Sequence, residues 1–228
     1  MRRRHAVIAA ALFAFSGAAT AGTVSIGVFS LFAPREIVIQ PKDAGRYELH
    51  LGDTSLGSWT GGDRSAGVTL KLRNNRVSVI WRTKTLGEAP AKIGDRIEIR
   101  KDGVDGTAFS FTLSAGASKD ALKRNYRGSL HILIAEAPDR KQAGYLLPVV
   151  TEEFEQYCAE VVASELPAGM PLEAMKAQAV VCRSYATFYR TQGRHSGYDF
   201  CDTTHCQYWK GADTSRAGKQ AQEAAEAT

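Results

Sequence analysis

The sequence predicts an α+β fold in which a β-rich N-terminal half is followed by a helical hairpin core. Short runs that alternate apolar and polar residues fill the first part of the chain, separated by turn formers such as Asn74-Asn75. From Thr151 onwards, apolar residues recur at helical spacing instead. The composition is that of a globular protein, with 44% hydrophobic and 23% charged residues in 228. We therefore expect a strand-rich region over 22–146 and a helical core over 147–228.

Each predicted strand is only a few residues long, and turn-forming residues such as glycine, asparagine and aspartate separate the strands. They are Ile37–Ile39, Tyr47–Leu51, Val68–Leu72, Val77–Trp81, Ile97–Ile99, Phe109–Leu113 and Leu130–Ile134. We find no internal repeat among them, so hairpins in a single β-rich unit are the expected arrangement.

The first predicted helix begins after Thr151, whose hydroxyl can cap it, and Glu152 and Glu153 suit its positive end. Phe154, Cys158, Val161 and Glu165 follow at the spacing of one helix face. Pro167 should end this helix.

The second predicted helix begins at Pro171, after a turn at Gly169. It should end near Gly193. The short connection indicates that the two helices pack as a hairpin. The apolar face of the second helix consists of Leu172, Met175, Ala179, Cys182, Ala186 and Tyr189.

The N-terminus is typical of a signal peptide over 1–21. Arg2–Arg4 precede the apolar run Ala6–Phe15, and Ala19-Thr20-Ala21 predicts cleavage before Gly22. The alternative is an uncleaved anchor helix, but the run is short for a bilayer span. We expect an exported protein, periplasmic or secreted, with no transmembrane segment after cleavage.

The charge balance argues against nucleic-acid binding. The formal net charge is +5, from 29 basic and 24 acidic residues, but the three arginines at the start account for most of the excess. No basic run remains in the rest of the chain, where a nucleic-acid binder would carry one.

Glu165 is the best catalytic candidate. It continues an apolar helix face, so we expect its carboxyl group to be partly desolvated and its pKa to be raised, as a general acid requires. The alternative is a glutamate at a helix end, exposed or paired with Lys176 or Arg183. Glu160 lies five residues earlier and should face a different side of the helix.

Cysteine and histidine residues cluster near the C-terminal end. His195, Cys201, His205 and Cys206 fall within twelve residues and form a donor set suited to structural zinc. A Cys201–Cys206 disulfide is the alternative, because exported proteins also form disulfides. Cys158 and Cys182 are either a disulfide across the helical hairpin or two buried thiols.

Several segments together resemble the SpoIID/LytB family, the stage II sporulation protein D and amidase-enhancer domain. The resemblance is specific over 147–211 and weaker before it. It is carried by Glu155-Gln-Tyr-Cys-Ala-Glu-Val-Val-Ala-Ser-Glu-Leu-Pro167, Pro171-Leu-Glu-Ala-Met-Lys-Ala-Gln-Ala-Val-Val-Cys-Arg-Ser-Tyr-Ala186 and Asp199-Phe-Cys-Asp-Thr-Thr-His-Cys-Gln207, with Leu147–Val150 and Tyr126–Leu130 as matching strands.

The resemblance implies a peptidoglycan lytic transglycosylase that cleaves glycan strands stripped of their stem peptides. Glu165 stands at the position of the family's catalytic glutamate, in the triplet Glu-hydrophobe-Pro. Lys176, Gln178, Arg183 and Tyr185 stand at motif positions on the second helix and are candidates for substrate binding. The resemblance also supports zinc at the cysteine and histidine cluster.

Other family members enhance cell-wall amidases, which gives an alternative function: a non-catalytic module that binds peptidoglycan and contacts an amidase. A zinc-stabilised protein without a role at the cell wall is a third alternative. Ser215–Thr228 resembles the helix that precedes further strands in the family. We therefore expect that the chain lacks the family's C-terminal part.

Overall fold

The computed structural model describes residues 22–137 and 144–228, so the predicted signal peptide lies outside the described residues. Within them the chain forms twelve strands and three α-helices. The strands are β1 Thr23–Gly27, β2 Glu36–Pro41, β3 Gly45–Leu51, β4 Thr54–Gly61, β5 Val68–Arg73, β6 Arg76–Trp81, β7 Lys84–Pro90, β8 Arg96–Lys101, β9 Phe109–Ser114, β10 Lys123–Ala135, β11 Tyr145–Glu153 and β12 Phe200–Cys201.

The strands form one continuous, strongly bent sheet. Its main path runs β12-β1-β11-β10-β9-β2-β5-β6-β7, and a branch leads from β10 through β8 and β3 to β4. The pairs are antiparallel except β1 with β12. The long strand β10 belongs to both parts, since 129–135 pair with β11 and 123–128 pair with β9.

The two ends of the sheet meet where β4 lies against β7, which makes the sheet a nearly closed barrel. A Cβ atom on Gly57 would lie 2.6 Å from Leu86 Cβ, and one on Gly87 would lie 2.5 Å from the Leu56 carbonyl oxygen. Only glycine permits this approach. The side chains that alternate inward along the strands fill the barrel with a continuous apolar core.

The predicted strands are confirmed as parts of β2, β3, β5, β6, β8, β9 and β10. Their burial alternates as expected, for example along β2, where every second residue is buried. Asn74 and Asn75 have φ values of 49° and 56°, the type I′ turn that matches strand twist. The sequence prediction missed β1, β4, β7 and β12.

The helical core is confirmed and has a third member. Helix α1 is Phe154–Glu165, α2 is Leu172–Arg190 and α3 is Arg216–Glu226, which begins after the capping residue Ser215. Small side chains of α3 pack against α1 and α2 in one cluster: Ala221, Ala224 and Ala225 contact Ala159, Val162, Met175 and Ala179. The three helices therefore form a layer beside the barrel.

The predicted start of α1 is wrong. Thr151, Glu152 and Glu153 belong to β11, where they pair with β1, and α1 begins at Phe154 without a side-chain cap. Strand pairing with β1 outweighs the local capping signal. The predicted end is confirmed, since Leu166 is extended before Pro167 and Gly169 turns with φ 85°.

Two carboxyl groups are buried where β11 meets α1. Glu152 and Glu160 are each only 4% exposed. Burial raises the pKa of Glu152 to about 9, and the charge of Glu160 adds to this. Burial also raises the pKa of Glu160 to about 7, against hydrogen bonds from Gln156 and Trp209 that lower it.

These shifts predict that stability falls as pH rises. Both pKa values lie above the ordinary 4.5, so the folded chain binds more protons than the unfolded chain between about pH 5 and 9. The stabilisation is complete below pH 4.5 and is lost as pH passes through 7 and then 9. Glu152→Gln should reduce the fall in melting temperature between pH 5 and 9 by on the order of 5 °C.

Circular dichroism melting at several pH values measures this difference. Glu223→Gln is the matched control, because Glu223 is an exposed acid on α3 that is not among the charges that shift the pKa of Glu152, and this variant should keep the wild-type profile. Equal slopes for the wild type and Glu152→Gln would show that the buried carboxyl of Glu152 has an ordinary pKa.

Candidate functional site

Glu165 is the last residue of α1, and hydrogen bonds hold both of its carboxyl oxygens. The Gln178 side chain donates to Oε2 at 2.7 Å, and the Tyr208 backbone N–H donates to Oε1 at 3.1 Å. The side chain is exposed, so the expected desolvation is wrong. The buried part of α1 ends at Val162, and the last three residues of the helix, 163–165, are partly or fully exposed.

The donor Tyr208 belongs to a segment, 207–210, that docks on the end of α1. The Lys210 backbone N–H donates to Ser164 Oγ at 3.0 Å, one residue before Glu165. Lys210 Nζ also lies 5.0 Å from the centre of the Tyr208 ring. Gln178 on α2 and Tyr208 in this docked segment therefore hold the carboxyl plane of Glu165 from two parts of the chain that are distant in sequence.

Beneath this surface, Gln207 connects the docked segment to the helical hairpin. Its Oε1 accepts hydrogen bonds from the Tyr157 hydroxyl at 3.2 Å and from Cys182 Sγ at 3.6 Å. Burial is the main cause that raises the pKa of the Tyr157 hydroxyl, so this group stays a neutral donor. Gln207 is buried and is the residue immediately before Tyr208, so it positions the backbone that donates to Glu165.

The neighbouring acids have other partners. Glu160 Oε2 accepts from Trp209 Nε1 at 2.8 Å in the interior, which confirms that Glu160 faces a different side from Glu165. Glu173 pairs with Lys176 at 2.8 Å on the surface of α2. Neither Glu160 nor Glu173 is therefore a hydrogen-bonded partner of Glu165.

The four predicted binding residues on α2 have different surroundings. Gln178 contacts Glu165, as described, and Lys176 is held by Glu173. The Tyr185 hydroxyl accepts from Arg194 at 2.7 Å. The structure therefore brings Gln178 to the catalytic candidate, while a role in substrate binding remains a prediction for all four.

Arg183 is engaged within the fold. Its Nη2 donates to Glu155 Oε2 at 2.7 Å and its Nε to the same carboxylate at 2.9–3.0 Å. The guanidinium also donates to the Ala225 carbonyl at 2.8 Å and to Thr228 Oγ1 at 3.0 Å. Arg183 joins α2 to α1 and to the end of α3.

The predicted metal ligands come together. One donor atom each from His195, Cys201, His205 and Cys206 lies within 4.8 Å of the others. His195 Nε2 is 3.2 Å from Cys206 Sγ, and His205 Nδ1 is 3.7 Å from Cys201 Sγ and 3.6 Å from Cys206 Sγ. Tetrahedral zinc with bonds of about 2.0–2.3 Å places its ligands about 3.3–3.8 Å apart. The donor set therefore fits zinc.

The thiols of this cluster are free. The hydrogen bond from the Cys206 thiol is the main cause that lowers the pKa of Cys201 to about 4. The same bond raises the pKa of Cys206. Burial lowers the pKa of His195, which leaves its imidazole neutral. A thiolate and a neutral imidazole are the protonation states in which these side chains bind metals.

Sheet pairing and two aspartates hold the cluster in place. Cys201 lies in β12, whose partner in β1 is Gly27. A Cβ atom on Gly27 would lie 2.7 Å from the Tyr198 ring, which stacks on His195, so this position requires glycine. Asp199 Oδ2 accepts from the Ser25 backbone N–H and hydroxyl, each at 2.8 Å.

Asp202 is the second anchor. Its Oδ2 accepts from Arg124 at 2.8 Å and from the Phe29 backbone N–H at 3.2 Å. The sequence prediction assigned no role to Asp202 or Gln207, although both stand in the segment Asp199–Gln207 on which the family resemblance rests. That segment was the signal that could have identified them.

Hydrogen bonds and one short stretch of chain connect the four predicted metal ligands to the segment that contacts Glu165. Arg194 donates to the Tyr185 hydroxyl on α2 and to the His205 carbonyl at 3.1 Å. Only Gln207 separates Cys206 from Tyr208, and the Tyr208 backbone N–H donates to Glu165. A metal held by the cluster would therefore brace the segment that orients the carboxyl group.

Cys158 and Cys182 face each other across the helical hairpin. Both are fully buried and both are free thiols in the structure. A hydrogen bond with Cys158 is the main cause that raises the pKa of Cys182. The predicted disulfide between them stays a prediction.

Residues 142–228 match the model of the SpoIID family, described as stage II sporulation protein. The matched part contains Glu165, the four predicted binding residues on α2 and the four predicted metal ligands. No curated protein and no solved structure matches the chain. In the described part of the chain, no α-helix combines the length and the apolar character needed to cross a bilayer.

The contacts of Arg183 and Lys176 predict that alanine substitution destabilises the fold more at Arg183 than at Lys176. Arg183→Ala leaves a carboxylate and a carbonyl without their donor and should cost about 1–3 kcal/mol in the free energy of unfolding. Lys176→Ala removes an exposed pair and should cost less than about 1 kcal/mol. Urea denaturation measures both; equal small losses would mean that Arg183 does not join the helices.

Proposed function

We propose, because residues 142–228 match the SpoIID family model, that the chain is a peptidoglycan lytic transglycosylase with Glu165 as its general acid and base. The family acts at the cell wall and in sporulation, which supports an exported protein that acts outside the cytoplasm. The observation that carries the proposal is the geometry of Glu165. An exposed carboxyl group, with each oxygen held by a donor, stands at the family's catalytic position.

The proposed reaction uses one carboxyl group twice. Glu165 first protonates the glycosidic oxygen between N-acetylmuramic acid and N-acetylglucosamine, and the bond to C1 breaks. The resulting carboxylate then takes the proton from the 6-hydroxyl of the muramic acid, whose oxygen attacks C1. The products are a new hydroxyl end and an anhydro-muramic end, and no water is consumed.

The contacts of Glu165 suit this double use. Gln178 and the Tyr208 backbone hold the carboxyl plane, so the same group can face the leaving oxygen and then the 6-hydroxyl. A hydrolytic glycosidase needs a second carboxyl group as nucleophile or base. Glu160 and Glu173 are bound to Trp209 and Lys176 respectively, which favours the mechanism with a single carboxyl group.

A zinc ion held by His195, Cys201, His205 and Cys206 is part of the proposal. With four protein ligands, zinc would have no open position and would stabilise the loop that leads to Tyr208. The protein's own contribution at the reaction centre is then the position of the Tyr208 N–H against Glu165.

Product analysis tests the proposed reaction. Wild-type protein incubated with peptide-free glycan strands should release anhydro-muramic ends, detected by mass spectrometry. Glu165→Gln cannot transfer a proton and should reduce the rate by at least about 100-fold. Glu173→Gln, an exposed acid on α2, is the matched control and should keep wild-type activity.

The other outcomes assign the alternatives. Reducing ends in place of anhydro ends would indicate hydrolysis and a second carboxyl group. The exposed position of Glu165 also favours a second candidate, a non-catalytic module that binds glycan strands and stimulates a cell-wall amidase. Glycan binding without cleavage by the folded wild type would support that module.

Metal analysis tests the zinc site. Purified protein should contain one zinc per chain, and Cys206→Ala should lose it, whereas Cys158→Ala should retain it. Thiol titration after denaturation with a chelator should find Cys201 and Cys206 free. A disulfide between them, without bound zinc, would contradict the site.

A further inference from the structure

In the segment 207–210, buried and surface side chains alternate, as they do along an extended chain. Gln207 and Trp209 are buried in the interior. Tyr208 is partly exposed and Lys210 is exposed, so these two side chains point outward. The 5.0 Å between Lys210 Nζ and the centre of the Tyr208 ring shows that they lie on the same side of the segment. This side is the surface at which Glu165 is exposed.

The backbone holds Lys210 beside Glu165. The Lys210 N–H donates to the hydroxyl of Ser164 at 3.0 Å, and the Tyr208 N–H donates to Glu165 Oε1 at 3.1 Å. Both donors are backbone groups, so the location of Lys210 next to the end of α1 does not depend on its own side chain. The flexible four-carbon stem of lysine then carries the ammonium group over this surface.

Lys210 is a cation without an acidic partner. Within the described residues its ammonium group has no ion pair, and it contacts the Tyr208 ring. The other basic side chains near the site already have partners: Arg183 binds Glu155, Lys176 binds Glu173, and Arg194 binds the Tyr185 hydroxyl. The ammonium group of Lys210 is therefore available to an anionic group of a substrate.

The substrate of the proposed reaction has an anionic group near the bond that breaks. N-acetylmuramic acid carries a lactyl ether at O3, on the same ring whose C1 is attacked. In a strand that retains its stem peptides, the lactyl carbonyl is part of a neutral amide. Removal of the peptide leaves a carboxylate. The charge at this position therefore distinguishes a stripped strand from a strand that carries peptides.

A carboxylate that approaches Glu165 requires a cation nearby. Glu165 is itself a carboxylate in the second half of the proposed reaction, and like charges at close range repel each other. An ammonium group offsets this repulsion, and its hydrogen bond to a carboxylate is stronger than one to a neutral amide. Lys210 thus favours the stripped strand over the amide-linked strand.

We propose that Lys210 binds the lactyl carboxylate of N-acetylmuramic acid and thereby selects glycan strands whose stem peptides have been removed. The inference deepens the proposed function, because it rests on Glu165 as the reaction centre and on peptidoglycan as the substrate. The Tyr208 ring supports the ammonium group, while the Tyr208 backbone holds the carboxyl group of Glu165. One short segment positions both the acid and the cation that selects its substrate.

Two matched oligosaccharides test this selection. The first is a tetrasaccharide of alternating N-acetylglucosamine and N-acetylmuramic acid with free lactyl carboxylates. The second is the same molecule after its carboxylates have been coupled to methylamine, which gives neutral amides of similar size. Isothermal titration calorimetry uses the Glu165→Gln protein, so that the probes stay intact. The free acid should bind at least about fivefold more tightly than the amide.

Substitutions in the same protein locate the cation. Lys210→Gln keeps the backbone N–H that binds Ser164 but removes the charge, so it should bind both probes with equal affinity. Lys210→Arg keeps the charge and should keep a preference for the free acid. Lys219→Gln removes an exposed lysine of α3 and is the matched control, which should show the unchanged ratio of affinities.

Three results would overturn the proposal. One is a preference for the free acid that survives Lys210→Gln. Another is equal affinity for the two probes before Lys210 is substituted. The third is a lack of binding of either probe by the folded protein.

Kinetics separate substrate selection from a structural role. The lactyl carboxylate is present in both the ground state and the transition state, so Lys210→Gln in the chain with Glu165 should raise KM for stripped strands at least about fivefold and leave kcat nearly unchanged. The melting temperature should stay the same, because the side chain makes no ion pair in the described chain. A lower kcat with an unchanged KM would show that Lys210 orients Glu165 instead.

The two proposals fail separately. Anhydro-muramic products together with equal affinity for both probes would remove the role of Lys210 and leave the transglycosylase. A preference for the free acid that depends on Lys210, without any products from the wild type, would retain the selection and remove the reaction.

Discussion

The hydrogen bond between the Trp209 indole and Glu160 is the interaction on which the arrangement of the site depends. Trp209 is fully buried, its Nε1 lies 2.8 Å from Glu160 Oε2, and its ring packs on Tyr126 and Tyr157. It thereby joins the barrel, helix α1 and the C-terminal segment at one point. A buried carboxyl group is costly without a partner, so Glu160 and Trp209 fix each other's position.

This anchoring lets three distant parts of the chain share one site. β1 pairs with β12 and holds Cys201, the segment after it supplies Tyr208, and α1 presents Glu165. Each of these contacts spans a large sequence separation. The C-terminal part that matches the SpoIID family model is therefore built on a strand from the start of the described chain.

The bend of β10 follows from the same construction. A strand that serves two parts of a barrel must turn between them, and Gly128 provides the turn at the cost of open space beside it. The side chains of Glu152 and His131 lie near this bend, where they are buried and uncharged near neutral pH.

The sequence by itself determined the local elements and the chemical candidates. Alternation predicted seven strands, helical spacing predicted α1 and α2, and the residue types and motifs marked Glu165 and the four predicted metal ligands as candidates, because these signals depend only on neighbouring residues. Only the tertiary structure decided which way these residues face. Pairing with β1 made Thr151 and Glu152 part of a strand, and the end of α1 left Glu165 exposed while Glu160 was buried. Burial is set by contacts between residues far apart in the chain, and no local pattern in the sequence specifies them.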